Sequence, residues 1–171
     1  MTITVTEAQA LIAMPKTAIL PMTWQVKIGG YNPSRFMFDS ALRIDDEVRE
    51  DLFLRFRFRG EYQQMKGGVA VIRSANIASG LYAANNRIFA YDYDAGRPHV
   101  NQVGEGRPYY RQSIIGLHQH IWTEQGYGYA EPLTLTNHDV ETIIHAFVSA
   151  VNTTIPGGIA RPPAEQLSFP L

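Results

Sequence analysis

The sequence predicts an α+β protein. It should have a mostly antiparallel sheet of about five or six strands, a short N-terminal helix, and a C-terminal helix packed on one sheet face. Three observations carry this reading. The segment LFLRFRFRG alternates apolar and basic side chains with a period of two, as a half-buried strand does. Val140, Ile143, Ile144, Phe147, Val148 and Val151 recur at helical spacing and form one stripe. Between them no strand–helix–strand alternation occurs, which disfavours a doubly wound parallel sheet.

The chain has 171 residues, 45% hydrophobic, with a net charge of −1. That length suits a single domain, expected over 1–155, and the balanced charge excludes a histone-like coat protein. With no cysteine, disulfides, thiolate metal sites and cysteine nucleophiles are excluded. The N-terminal stretch lacks the basic region of a secretory signal, and no apolar run reaches the ~20 residues a membrane helix needs. A cytoplasmic protein that does not enter the membrane is expected.

Along the chain, Thr6 with Gln9 fits a capping box, Ala8, Leu11 and Ile12 give an apolar face, and Pro15 ends the helix. Thr23 to Ile28 reads as a strand closed by Gly29-Gly30, and Phe36 to Ile44 as another. The acidic run from Asp45 to Asp51 is expected in a solvated turn. In the next strand Leu52, Leu54, Phe56 and Phe58 share one face, and Arg55, Arg57 and Arg59 the other. Gly67-Gly68 turns into Val69–Ile72, whose unbroken apolar run suggests a central strand. After Asn85-Asn86, Phe89, Tyr91 and Tyr93 fall on one side, and Ile88, Ala90, Asp92 and Asp94 on the other. A loop is expected from Ala95 to about Tyr110. A strand and a turn follow in IIGLHQHIWTEQGYGYAEPL, and the helix starts near Thr136 and Asp139. The proline-bearing segment 156–171 reads as an extended tail. Its anchors are Ile159, Leu167, Phe169 and Leu171, which could dock on the domain or join a second copy.

Two constellations could carry chemistry. His118 and His120, two apart on a strand, project from one face, with Trp122 next in line. Paired imidazoles can act as base and acid or as metal ligands. If the neighbouring segments adjoin, Asp92, Asp94 and His99 complete an Asp/His cluster. A divalent metal is then possible, with Glu124 or Glu131 as further ligands. The bland alternative makes Asp92 and Asp94 ordinary charges paired with arginines. Second, Arg55, Arg57 and Arg59 stand about 7 Å apart and need anions opposite them. These anions are either phosphates or the protein's own carboxylates, with Asp92, Asp94, Glu61 and the acidic run as candidates. No GxSxG elbow surrounds Ser113 or any other serine, and no nucleotide-binding glycine loop is present. His138 and His145 should be solvated. Tyr109, Tyr110, Tyr127 and Tyr129 could stack on a base or simply pack their loop.

The stretches FAYDYDAGRPHVN and GLHQHIWTEQGYGYAEPL resemble the signature region of small bacterial proteins that include the TumE-like toxins of toxin–antitoxin pairs. The matching positions are Asp92, Pro98-His99, Asn101, His118, His120, Tyr127-Gly128, Ala130 and Pro132, within residues 88–150. This chain departs from the pattern at Gly116-Leu117, where the family usually has proline, and in the longer loop RPYYRQSII. The resemblance implies a toxin-like role directed at RNA, with an antitoxin as protein partner. Two readings stand side by side. One is a nuclease or other phosphoryl-transfer hydrolase using His99, His118 and His120, with the arginines holding phosphate. The other is a non-catalytic binding or assembly protein that uses its sheet face and tail.

Overall fold

The computed structural model describes residues 3–27 and 35–163. Its centre is the strand that the alternation marks, β4 (Glu47–Arg59), flanked by β3 (Arg35–Ile44) and β7 (Asn76–Ala83). Leu52, Leu54 and Phe56 are fully buried along β4. The meander continues through β8 (Asn86–Val100), β9 (Ser113–Thr123) and β10 (Gly126–Pro132). At the other end β1 (Lys16–Ala18) pairs with β3, and β2 (Gln25–Val26) pairs with β3 as well. The short β11 (Thr153–Thr154) closes the order by pairing with β1, the one parallel contact among the described residues. The plan is therefore α+β and mostly antiparallel as expected, but the main sheet has nine strands rather than five or six. The strands not expected are β1 and β11, too short to show a period, the eight-residue β7, which the sequence reading leaves unassigned, and β10, hidden as the second arm of a hairpin inside IIGLHQHIWTEQGYGYAEPL.

Helix α1 (Val5–Ala13) starts one turn-fraction earlier than the Thr6 box implies. Thr4 is the cap, its hydroxyl accepting from the Glu7 amide while the Glu7 carboxylate accepts from the Thr4 amide. At the other end Lys16, only 3% exposed, donates from Nζ to the carbonyls of Leu11 (2.6 Å), Ile12 (3.0 Å) and Met14. It thereby satisfies helix-end acceptors that would otherwise be buried without donors.

Helix α2 (Val140–Ala150) lays its stripe on the sheet. Phe147 meets Phe56 edge-on (5.8 Å between ring centroids), stacks on Phe89 (6.2 Å) and meets Tyr91 edge-on (5.6 Å). These contacts fix Leu54, Phe56, Leu81, Phe89 and Tyr91 on the core face, and so assign everything opposite to the other face. Asp139, not Thr136, is the cap.

Several local expectations are corrected. Val69–Ile72 is not a central strand. It lies in β6 (Val69–Arg73), which pairs only with β5 (Tyr62–Lys66) in a separate hairpin, leaving Val69 64% and Ile72 69% exposed. An apolar run does not say which partner will cover it. Only Asp45 and Asp46 form the acidic turn, at φ 46° and 67°; Glu47 to Asp51 already belong to β4. Ile88 joins the core because a register shift between Leu81 and Tyr82 turns it to the side of its neighbour Phe89. The loop expected from Ala95 is strand as far as Val100. Of the Thr23–Ile28 strand only Gln25–Val26 forms; Ile28 and Gly29-Gly30 lie outside the described residues. The tail is not extended from its start: Pro156 and Gly157 form a turn in which the Gly158 amide donates to the Ile155 carbonyl (3.0 Å), and the stretch 158–163 then runs without helix or strand along its own domain. Trp24 Nε1 donates to the Ala160 carbonyl (2.9 Å), Ile159 packs on the core, and Arg161 pairs with Glu141. Leu167, Phe169 and Leu171 lie outside the described residues.

Candidate functional site

Directly paired residues of an antiparallel sheet share a face. Pairing sets Arg57 opposite Ala78, Ala78 opposite Asp92, and Asp92 opposite His118. The next row runs Arg55, Gly80, Ala90, His120. The face away from α2 thus carries both histidines, Asp92 and the arginine stripe. His99 arrives by an irregularity. Between Asp94 and His99 the register slips, with Ala95 to Pro98 set against Ile115 alone, and His99 then pairs with Ile114. The three rings converge, with centroids 5.4 Å apart for His99 and His118, 4.7 Å for His99 and His120, and 4.9 Å for His118 and His120. One nitrogen of each ring lies within 4.8 Å of the others. His118 and His120 are buried, and His99 is half-buried.

Each ring is held through one nitrogen. His118 Nδ1 bonds the Gly116 carbonyl at 2.8 Å. His120 Nε2 lies 3.2 Å from Asp92 Oδ2. His99 Nε2 faces two acceptors, Asn101 Oδ1 at 3.1 Å and the Gly128 carbonyl at 3.0 Å. The Asn101 amide cannot be turned round. Its Nδ2 donates to the carbonyls of Tyr109 and Ala130, and its Oδ1 accepts from the Ala130 amide. Asn101 is fully buried and ties the 101–112 loop to β10 beside the histidines.

Behind the rings sits an ion pair. Arg87 Nη1 donates to Asp92 Oδ2 (2.9 Å) and to Tyr127 Oη (2.6 Å), while Nη2 meets Asp92 Oδ1 and the Ser79 carbonyl. Small residues make room for it. A Cβ at Gly80 would stand 2.8 Å from Arg87 Nε. Tyr127 stacks on His120, centroids 5.0 Å apart. Burial pushes the Asp92 carboxyl up, but Arg87 and the His120 bond outweigh it and hold the carboxyl well below its usual range. Burial also works against the Arg87 charge, which Asp92 more than restores. Burial pulls His118 and His120 down, against the Gly116 carbonyl and Asp92 respectively, so both rings favour the neutral form.

The other predicted residues divide. Asp94 does not join the histidines; it faces Gly116 across the sheet and accepts from the Gly96 amide (2.9 Å) and from Asn76. Glu124 pairs with Arg107, and Glu131 accepts from Gln119, so neither reaches the cluster. Trp122 turns to the core and donates to the Ile3 carbonyl. Arg55 is neutralised by Asp39 (2.7 Å), a carboxylate not among the expected partners because its strand neighbour was not known. Arg59 donates to the Ser74 carbonyl and lies over Tyr62. Arg57 is exposed. Arg57 and Arg59 line a groove of about 500 Å³ together with Lys27, Arg35, Arg73, Arg97 and Asp94. Sequence reasoning missed Arg87. Its signal was the set of small residues Ala78, Gly80 and Ala90, a trough that only a long side chain fills. Among the described residues no helix is long and apolar enough to cross a membrane. Comparison with protein-family models, curated proteins and solved structures finds no match.

Proposed function

We propose that this protein is a toxin-like phosphodiester hydrolase of the cytoplasm that cleaves RNA, with its reaction centre at His99, His118 and His120. The observation that supports this most is shared placement. The histidine cluster and the basic groove lie on one sheet face, joined by the row Arg57, Ala78, Asp92, His118. At about 4.8 Å per strand, three steps set Arg57 about 14 Å from His118, roughly two nucleotides of extended backbone. Arginines in the groove neutralise phosphates and set the chain's path, while the imidazoles act on one phosphodiester. Asp92 touches no substrate in this reading; it positions His120 and neutralises Arg87. The resemblance to TumE-like toxins supports RNA as the substrate and an antitoxin as the partner that would cover this face.

The test is cleavage of end-labelled single-stranded RNA and DNA by the purified protein, in buffers containing zinc or manganese. RNA should be cut, and the H118A/H120A double variant should not cut it. R57E should weaken RNA binding, and wild-type affinity should fall steeply with salt. No cleavage of either nucleic acid, with salt-independent or absent binding, overturns the reading in favour of a non-catalytic assembly protein.

A further inference from the structure

The second nitrogens of the three histidines settle where their lone pairs lie. Carbonyl and carboxylate oxygens only accept, so each nitrogen facing one must carry the proton. His118 is therefore protonated at Nδ1 towards Gly116, His120 at Nε2 towards Asp92, and His99 at Nε2 between Asn101 Oδ1 and the Gly128 carbonyl. In the neutral form that a metal ligand must take, this puts the lone pairs on His118 Nε2, His120 Nδ1 and His99 Nδ1. His120 is 2% exposed, and its Nδ1 is buried with no hydrogen-bond partner. A buried acceptor left unsatisfied is costly, and its position beside two more imidazoles gives the reason for it. Ring orientation through an outer carboxylate, amide or carbonyl is the arrangement that metal-ligating histidines use.

We propose that His99, His118 and His120 form a three-nitrogen site for a zinc-class divalent ion, with the Asp92–Arg87 pair and Asn101 as its outer shell. The donor set chooses the ion. Three neutral imidazoles without an oxygen ligand suit zinc and its late first-row neighbours, and do not suit magnesium or calcium. Asp92 is committed to Arg87 and to His120, so the carboxylate orients and does not ligate. Three protein ligands leave a fourth position open, the composition of catalytic rather than closed structural zinc sites. Tetrahedral bonds of 2.0–2.1 Å put donor nitrogens about 3.4 Å apart; one nitrogen of each ring already lies within 4.8 Å of the others, so each ring needs to close by about 1 Å. The half-buried His99, carried by the bulge, is the ring with room to move. The site goes beyond the hydrolase reading and does not depend on which bond is cut.

The test is metal binding, separate from any cleavage assay. Metal-stripped protein is titrated with zinc by calorimetry and with cobalt by visible absorption. One equivalent should bind, and cobalt should give the intense visible bands of a tetrahedral nitrogen site. H99A, H118A and H120A should each lose about 100-fold or more in affinity, N101A about 10- to 100-fold, and H145A nothing. Because a substituted strand histidine could unfold the sheet, imidazole ¹⁵N spectra of the wild-type protein give a second readout. Zinc should shift His99 Nδ1, His118 Nε2 and His120 Nδ1 and leave their protonated partners in place. Zinc binding that persists in a folded H118A/H120A variant, or zinc that leaves these three nitrogens unmoved, overturns the site. Binding with no cleavage of RNA would leave the site standing and remove only the hydrolase reading.

Discussion

Asp92 stands directly opposite His118 across the β8–β9 ladder, yet it bonds the next histidine along, His120, at 3.2 Å. The diagonal bond is possible because Arg87 grips both carboxylate oxygens and turns the group along the strand. Asp92 is thus shared between a half-buried cation and a buried ring. Asp92→Asn should destabilise the protein by about 3 kcal/mol, because it leaves the Arg87 charge uncompensated. Urea denaturation measures this. A loss under about 0.5 kcal/mol, the scatter of ordinary surface changes, would mean that water replaces the carboxylate behind the rings.

Gly80 lies under the Arg87 side chain. A methyl group there would meet Tyr82 Cε2 at 2.7 Å and Arg87 Nε at 2.8 Å. Gly80→Ala should therefore cost about 1–3 kcal/mol through overpacking, and it should raise Tyr127 mobility by displacing Arg87. Thermal unfolding and tyrosine ring relaxation check the two effects. An unchanged melting temperature would show that the trough is wider than the structure gives.

Phe147 touches aromatic rings on two non-adjacent strands, Phe56 of β4 and Phe89 and Tyr91 of β8. Phe147→Ala should cost about 3–5 kcal/mol, near the upper range for core truncations. A near-zero change in unfolding free energy would place the helix stripe away from the sheet.

Asp139 caps α2, its carboxylate accepting from the Thr142 amide and hydroxyl, both at 2.8 Å. The amide bond holds its carboxyl below the ordinary value of 3.8. Because the folded state favours the ionised form, this stabilisation is present above about pH 4 and is lost as pH falls through the depressed folded value. Asp139→Ala should cost about 1 kcal/mol at pH 7, and the gap to wild type should narrow as the carboxyl takes up its proton in acid. Unfolding curves at pH 7 and pH 2.5 compare the two; a gap that stays constant would assign the effect to helix propensity instead of the cap.

The sequence exposed whatever obeys a simple period. β4 and the α2 stripe each bury one face, so their side chains alternate or recur plainly, and His118 and His120 share a face for the same reason. What stayed hidden depends on partners and on irregularities. Ile88 changes sides at a bulge, and His99 enters the cluster through a four-against-one slip that no spacing rule forecasts. Asp39 became the partner of Arg55 only once β3 lay beside β4. The Val69–Ile72 run carries strand propensity without any record of which sheet it joins, so its exposure was illegible. Arg87 was missed because its role lies in filling space over glycine and alanine on two other strands.

The parallel seam between β1 and β11 has a kinetic consequence. Every other contact in the main sheet joins strands that follow one another closely or enclose a single hairpin, so the meander can zip from local turns. Lys16 meets Thr153 only after the intervening chain has been ordered, and that loop closure is the slowest kind of step in a sheet. Until then the outer edge of β1 is an open template for a strand from another molecule. Mutations in Thr153 or Thr154 should therefore show themselves first as aggregation during refolding, before any loss in the finished protein is measurable.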